Sequence, residues 1–258
     1  MKIFALRTSR FAPLVLLLIL ILAACGKKGP VRPLLGSLPA APPDLQIAQQ
    51  GESFILAWDI PTQNQDGTDA EEPDGFRIYR SEYAAAEGCP TCRDPQELVA
   101  KIDLDYPIAY RIRGRLYWRD LNVVAGSGYH YRVTPVTQAG REGEAATAYR
   151  DWMTPPQAPE QFLARAEKDR IALSWQPPAQ LPADAVLVGY NLYRHRLDRP
   201  FSIVPLNLQP LENRQITDQV PAAGQTFEYR VSTVVRFGES LVESAPTEGV
   251  KVTRKTSE

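Results

Sequence analysis

The chain is short of the side chains that most often carry metal and acid–base chemistry. It holds two histidines, three cysteines and two methionines in 258 residues. His130 sits between Tyr129 and Tyr131, so strand alternation puts it on an outer face, and no nucleophile or substrate acid is suggested beside it. His195, flanked by Arg194 and Arg196, reads as a surface residue. No catalytic cluster, metal-ligand set or cofactor motif emerges, which argues against an enzyme. Past the N-terminal segment no sustained helical period occurs, which excludes a helical bundle. The one long apolar run, Leu14 to Leu22, is short of the roughly 20 apolar residues that span a bilayer. Residues 1–24 carry three basic side chains and no acidic one, so the rest of the chain has a formal charge of −4. Such a body lacks the electrostatic footprint of a nucleic-acid binder.

Lys2, Arg7 and Arg10 precede the apolar run, and small residues follow it. A basic region, a short apolar core and small residues before a cut describe a secretory signal peptide over 1–24. The cysteine at the cut sharpens that reading. Leu22-Ala23-Ala24-Cys25 resembles the lipobox of bacterial lipoproteins, and the resemblance implies that Cys25 becomes the lipidated first residue. A diacylglycerol plus an N-acyl chain, as in that family, exceeds the two signals that stable anchoring needs. Cys25-Gly26-Lys27-Lys28-Gly29-Pro30 resembles the start of small proteobacterial outer-membrane lipoproteins. Gly26, where Asp would imply retention in the inner membrane, implies sorting to the outer membrane. Residues 25–40, rich in Pro, Gly and Ala, read as an extended tether.

The remainder repeats itself. Ser53-Phe54-Ile55-Leu56-Ala57-Trp58 answers to Arg170-Ile171-Ala172-Leu173-Ser174-Trp175. Gly75-Phe76-Arg77-Ile78-Tyr79-Arg80 answers to Gly189-Tyr190-Asn191-Leu192-Tyr193-Arg194, and Asp120 to Asp218. The run from Gly126 to Val133 answers to that from Gly224 to Val231. Each piece alternates with period two, carries β-branched or aromatic residues and is bounded by Pro, Gly or Asp. That is strand chemistry, and several short strands with turns between them argue for β-sandwiches.

The pattern resembles the fibronectin type III family, twice over: residues 41–154 and residues 155–254, with a tail over 255–258. The resemblance implies an all-β chain of two tandem sandwiches. It implies a structural core of Trp58, Trp175, Tyr79, Tyr193, Tyr129 and Phe227, with Tyr79 and Tyr193 as the strand C tyrosines and a tyrosine corner at Tyr129. The second copy has Phe227 in place of the corner tyrosine, so that corner is expected to be packed without a hydrogen bond. The first copy is longer by 16 residues between strand C and strand E. The insertion falls around 82–113 and contains Cys89-Pro90-Thr91-Cys92. In an oxidising compartment the pair reads as a local disulfide that pins a long loop. A thioredoxin-like pair would want a helix and a βαβ setting. Haem attachment needs a histidine where Arg93 stands, and a metal site needs two further ligands.

Asp66, Asp69, Glu71, Glu72 and Asp74 crowd one loop without the spacing of a calcium site, and read as a solvated acidic loop. Tyr117, Trp118 and Trp152 are the aromatics that could stack on sugars, with packing at the joint before Thr154 the expected role of Trp152. The sequence thus reads as a non-catalytic outer-membrane lipoprotein, anchored through lipid on Cys25. Its expected partner is an envelope protein, met through the loop of Cys89 and Cys92. The alternative is a glycan-binding accessory lipoprotein that meets peptidoglycan or an extracellular polysaccharide.

Overall fold

The alternation is what makes the strands. Phe54, Leu56 and Trp58 point to one side of their segment, and all three are buried. Phe76 and Ile78 do the same in the next strand, and Tyr129, Tyr131 and Val133 in a third. A computed structural model shows where these strands go. It describes residues 37–106, 110–167, 170–199, 201–219 and 224–253. The expected signal peptide, Cys25, the tether up to Gly36 and the 255–258 tail lie outside the described residues. Among those described there is no helix, and hence none long and apolar enough to cross a membrane.

The first half contains β1 (Gln46–Gln50), β2 (Ser53–Asp59), β3 (Gly75–Ala84), β4 (Glu97–Asp103), β5 (Tyr110–Ile112), β6 (Arg115–Asp120), β7 (Ser127–Val136) and β8 (Ala146–Asp151). The second contains β9 (Glu160–Ala166), β10 (Ile171–Gln176), β11 (Val186–Arg196), β12 (Gln215–Asp218), β13 (Thr226–Phe237), β14 (Ser240–Glu243) and β15 (Val250–Thr253). In the first half, β1-β2-β6 faces the sheet β4-β3-β7-β8; in the second, β12-β10-β9 faces β11 and β13. The described residues are all-β and form two sandwiches. Residues 38–40, expected to close the tether, instead pair with the folded body. Ala40 N–H donates to Gln63 O at 2.9 Å, and Pro39 O accepts from Glu144 N–H at 2.9 Å.

Each sandwich buries a tryptophan against the aromatic that follows the glycine of the next strand. Trp58 meets Phe76 at 5.5 Å and 66°, and Trp175 meets Tyr190 at 5.5 Å and 68°. Edge-on pairs of this kind add to the area they bury. Tyr129 and Phe227 are buried in their respective cores. The Tyr129 hydroxyl accepts the Val124 N–H at 3.0 Å, so this tyrosine does bond back to the backbone.

Tyr79 lies outside the first core, which corrects the sequence reading, while Tyr193 is buried as expected but outside the cluster around Trp175. With Phe76 and Ile78 inward, Tyr79 points outward by alternation. It is half-buried beneath the Arg132 guanidinium, 4.1 Å from its ring centre. Tyr193 is fully buried, yet it packs on the outer face beside Phe201 rather than in the core of its sandwich. The strand C core aromatics are Phe76 and Tyr190.

The two sandwiches share a sheet. Strand β14 pairs parallel with β1 through Gln49–Val242 and Gln50–Glu243, which gives the order β11-β13-β14-β1-β2-β6-β5.

Candidate functional site

The insertion is not a single loop. It comprises the end of β3, a disulfide-bearing connection, the whole of β4, and β5. Cys89 and Cys92 are bonded, with Cα atoms 5.3 Å apart, and both are exposed. The connection is held on both sides of the bond. Before it, Gly88 N–H donates to Ala84 O at 2.7 Å. The Tyr83 ring lies so close to Gly88 and Gly128 that a Cβ there would meet it at 2.9 and 2.2 Å. The Tyr83 hydroxyl donates to Asp151 at 2.7 Å, and burial, with the carboxylate second, raises its pKa well above the ordinary tyrosine value. After the bond, Pro95 is buried and the Arg93 carbonyl lies 3.2 Å from His130 Nδ1. A carbonyl can only accept, so Nδ1 carries the proton.

His130 therefore faces out of the sandwich, yet the connection covers it and leaves it buried. His195 is likewise half-buried rather than on the open surface, edge-on to Phe201 at 5.1 Å. Elsewhere on the outward side of β3, Glu142 accepts from Arg77 at 2.7 Å and from the Tyr79 hydroxyl at 2.5 Å. Burial raises the pKa of that hydroxyl, and the carboxylate it donates to raises it further.

The acidic loop is tied into turns and ion pairs. Asp66 accepts the Thr68 hydroxyl at 2.6 Å and the Thr68 N–H at 3.0 Å, and these bonds hold its pKa below the usual carboxylate value. Glu72 pairs with Arg111 of β5 at 2.7 Å. Among the described residues no group of three or more His, Cys, Asp or Glu is placed to hold a metal ion. Trp118 and Trp152 are half-buried and pack against the first core. Tyr117 is half-buried on the outer face, opposite Tyr110 in the β5–β6 pairing.

The joint between the sandwiches carries the densest long-range polar contact. Gly51 N–H donates to Glu243 O at 2.8 Å. Gln50 Nε2 donates to the Tyr193 hydroxyl at 2.8 Å and to Glu243 Oε1 at 3.0 Å. Tyr193 in turn donates to Glu243 at 2.5 Å, and Ser232 donates to the same oxygen. Arg119 donates to Ser53 Oγ at 2.6 Å and to Gln50 Oε1 at 2.5 Å. Burial lowers the pKa of Arg119, opposed by Tyr193 and Glu243. Gln49 exchanges two bonds with the Met153 backbone, at 2.6 and 3.0 Å. Where β1 and β14 diverge, Arg150 of β8 donates to Ile47 O at 3.1 Å and to Leu241 O.

No family model matches the chain, and no curated protein matches it. Among solved structures that match is the crystal structure of chicken CNTN1 FN1-FN3 domains, at 13% identity and a TM-score of 0.32. The match covers 86% of this chain and 67% of that one. The fold assignment above rests on strand order and the two cores.

The sequence reading missed Gln49, Gln50, Arg119, Arg150 and Glu243. One signal was present. Two consecutive glutamines close β1, where the repeat alignment puts Ala166 and Glu167 in the second copy, so this turn departs from the repeat. The described residues thus present a docked loop bearing a disulfide, on a body whose two halves are bonded together.

Proposed function

We propose that this chain is a non-catalytic outer-membrane lipoprotein that serves as a protein-binding or spacer module in the cell envelope. Destination and anchor rest on the lipobox-like Leu22-Ala23-Ala24-Cys25 and on Gly26. The observation that carries the spacer role is the shared sheet, which joins the two sandwiches by backbone pairing and buried side-chain bonds. A pair of modules joined in this way transmits position, where a flexible linker would not. The contact surface is the disulfide-bearing connection between β3 and β4, presented on a loop above a rigid sheet, as binding residues commonly are.

Two experiments test this. Cys25→Ser should release the protein from the membrane fraction; a variant that stays membrane-bound overturns the anchor. In-cell crosslinking should compare the full chain with one whose residues 86–92 are shortened to a glycine-rich turn. Removing all of 82–113 would instead delete β4 and β5 and damage the sheet. A discrete envelope protein lost on shortening supports an adaptor that binds through this loop. Crosslinks unchanged by shortening leave a spacer alone.

A further inference from the structure

The Cys89–Cys92 bond stands apart from what holds the first sandwich together. Both residues are exposed and neither belongs to the buried core. The bond spans a sequence separation of 3, and disulfide stabilisation through the unfolded chain grows with the length of the closed loop. The contacts that dock the connection lie outside the ring: Gly88 on Ala84 and Tyr83 before it, Arg93 on His130 and buried Pro95 after it. Opening the bond therefore breaks no core packing, while both sulfurs lie on residues open to an incoming thiolate, the access that exchange requires.

We propose that Cys89–Cys92 is an exchangeable redox pair, reduced by a dithiol while both sandwiches remain folded. A thiolate of the dithiol attacks one Sγ, forms an intermolecular disulfide and expels the other Sγ as a thiolate. The second thiolate of the dithiol then attacks its own sulfur in that mixed disulfide and expels the remaining Sγ. Two electrons and two protons pass to Cys89 and Cys92, which end as thiols, and the dithiol ends as a disulfide. Reduction frees the Pro90–Thr91 turn, while Arg93, docked outside the ring beside buried Pro95, keeps its carbonyl on His130.

The test uses the full chain in a graded series of reduced and oxidised dithiothreitol, followed by alkylation. Mass spectrometry of the peptide holding both cysteines keeps Cys25 out of the count. Tryptophan fluorescence reports the cores, and the His130 imidazole NMR signal reports the loop. The expected result is a doubly alkylated peptide without denaturant, unchanged fluorescence, a His130 signal that keeps its position, and reversal when the oxidised reagent is restored. Alkylation that appears only in denaturant, or reduction accompanied by loss of the tryptophan signal, overturns the proposal and leaves a structural staple. The Cys89→Ala/Cys92→Ala double variant should melt with the native chain; a clearly lower melting temperature overturns the proposal by a second route.

Discussion

At the scale of single residues, the two sandwiches repeat one buried polar device. Asp120 accepts from Arg80 and from the Tyr131 hydroxyl, each at 2.8 Å. Asp218 accepts from Arg194 at 2.7 Å and from Tyr229 at 2.6 Å. The Asp120 carboxylate is 2% exposed and its arginine 12%, against 17% and 25% in the second copy. Removing one partner of a buried pair strands the other charge, at a cost of about 3–5 kcal/mol. Asp120→Asn should therefore lower the urea midpoint clearly more than Asp218→Asn does, because water reaches the second site and screens it. Equal losses would mean that exposure does not govern these pairs.

The same hydroxyls set the alkaline limit. Tyr131, Tyr193 and Tyr229 have pKa values raised above the ordinary 10.0, by burial first and then by Asp120, Glu243 and Asp218. The unfolded chain loses these protons near pH 10 while the folded chain keeps them, so their contribution is complete below that pH and falls above it. Each costs about 1.4 kcal/mol per pH unit there. Urea midpoints measured on both sides of pH 10 should fall on the alkaline side. The fall should be shallower in Tyr131→Phe; an unchanged slope would show that this tyrosine titrates normally when folded.

At the scale of elements, most strands could be read directly and the shared sheet could not. Trp58, Trp175, Tyr129 and Asp120 each have a counterpart at matching spacing, so alternation and repetition locate β2, β10, β7 and β6. Tyr79 was misassigned because it lies three residues beyond the inward Phe76 and thus faces the other way; Tyr193, at the same spacing from Tyr190, is buried on that other side. The parallel pairing of β1 with β14 has no local signature. Gln50 and Glu243 are separated by 193 positions, and strand pairing at that distance is a property of the assembled fold. Arg150 was missed for the same reason: its acceptors are carbonyls of two other strands, which no side-chain pattern reports. Replacing Arg150 with Ala removes the one side chain that bonds both strands, through Ile47 O and Leu241 O. Hydrogen exchange at Gly51, whose amide bonds Glu243 O, should quicken in Arg150→Ala while exchange in β7 stays slow. Equal acceleration in both would place Arg150 in general stability rather than at the joint.

At the scale of the whole molecule, the joint decides how many cooperative units the chain has. Tandem domains with a loose linker unfold separately. Here Glu243 of the second sandwich accepts from Gln50 of the first through buried partners, and Gln49 clasps the linker at Met153. Calorimetry should show one transition for the native chain, with calorimetric and van't Hoff enthalpies in agreement. Glu243→Ala removes the acceptor common to Gln50, Tyr193 and Ser232, and should split that transition into two. A native chain that already melts in two steps would make the joint a contact without coupling.

The position of β14 also bears on how the chain is made. Synthesis proceeds from the N-terminus, so β1 emerges long before Val242 and Glu243, the residues that cover its edge. Until then the first sandwich can complete its core but presents the row of unpaired amides and carbonyls along β1 that natural sheets usually guard. The edge of β1 is covered only once β14 is in place. A nascent or truncated product ending before Ser240 would be folded at one end and open to wrong partners along β1. Its solubility, more than its stability, would record the loss.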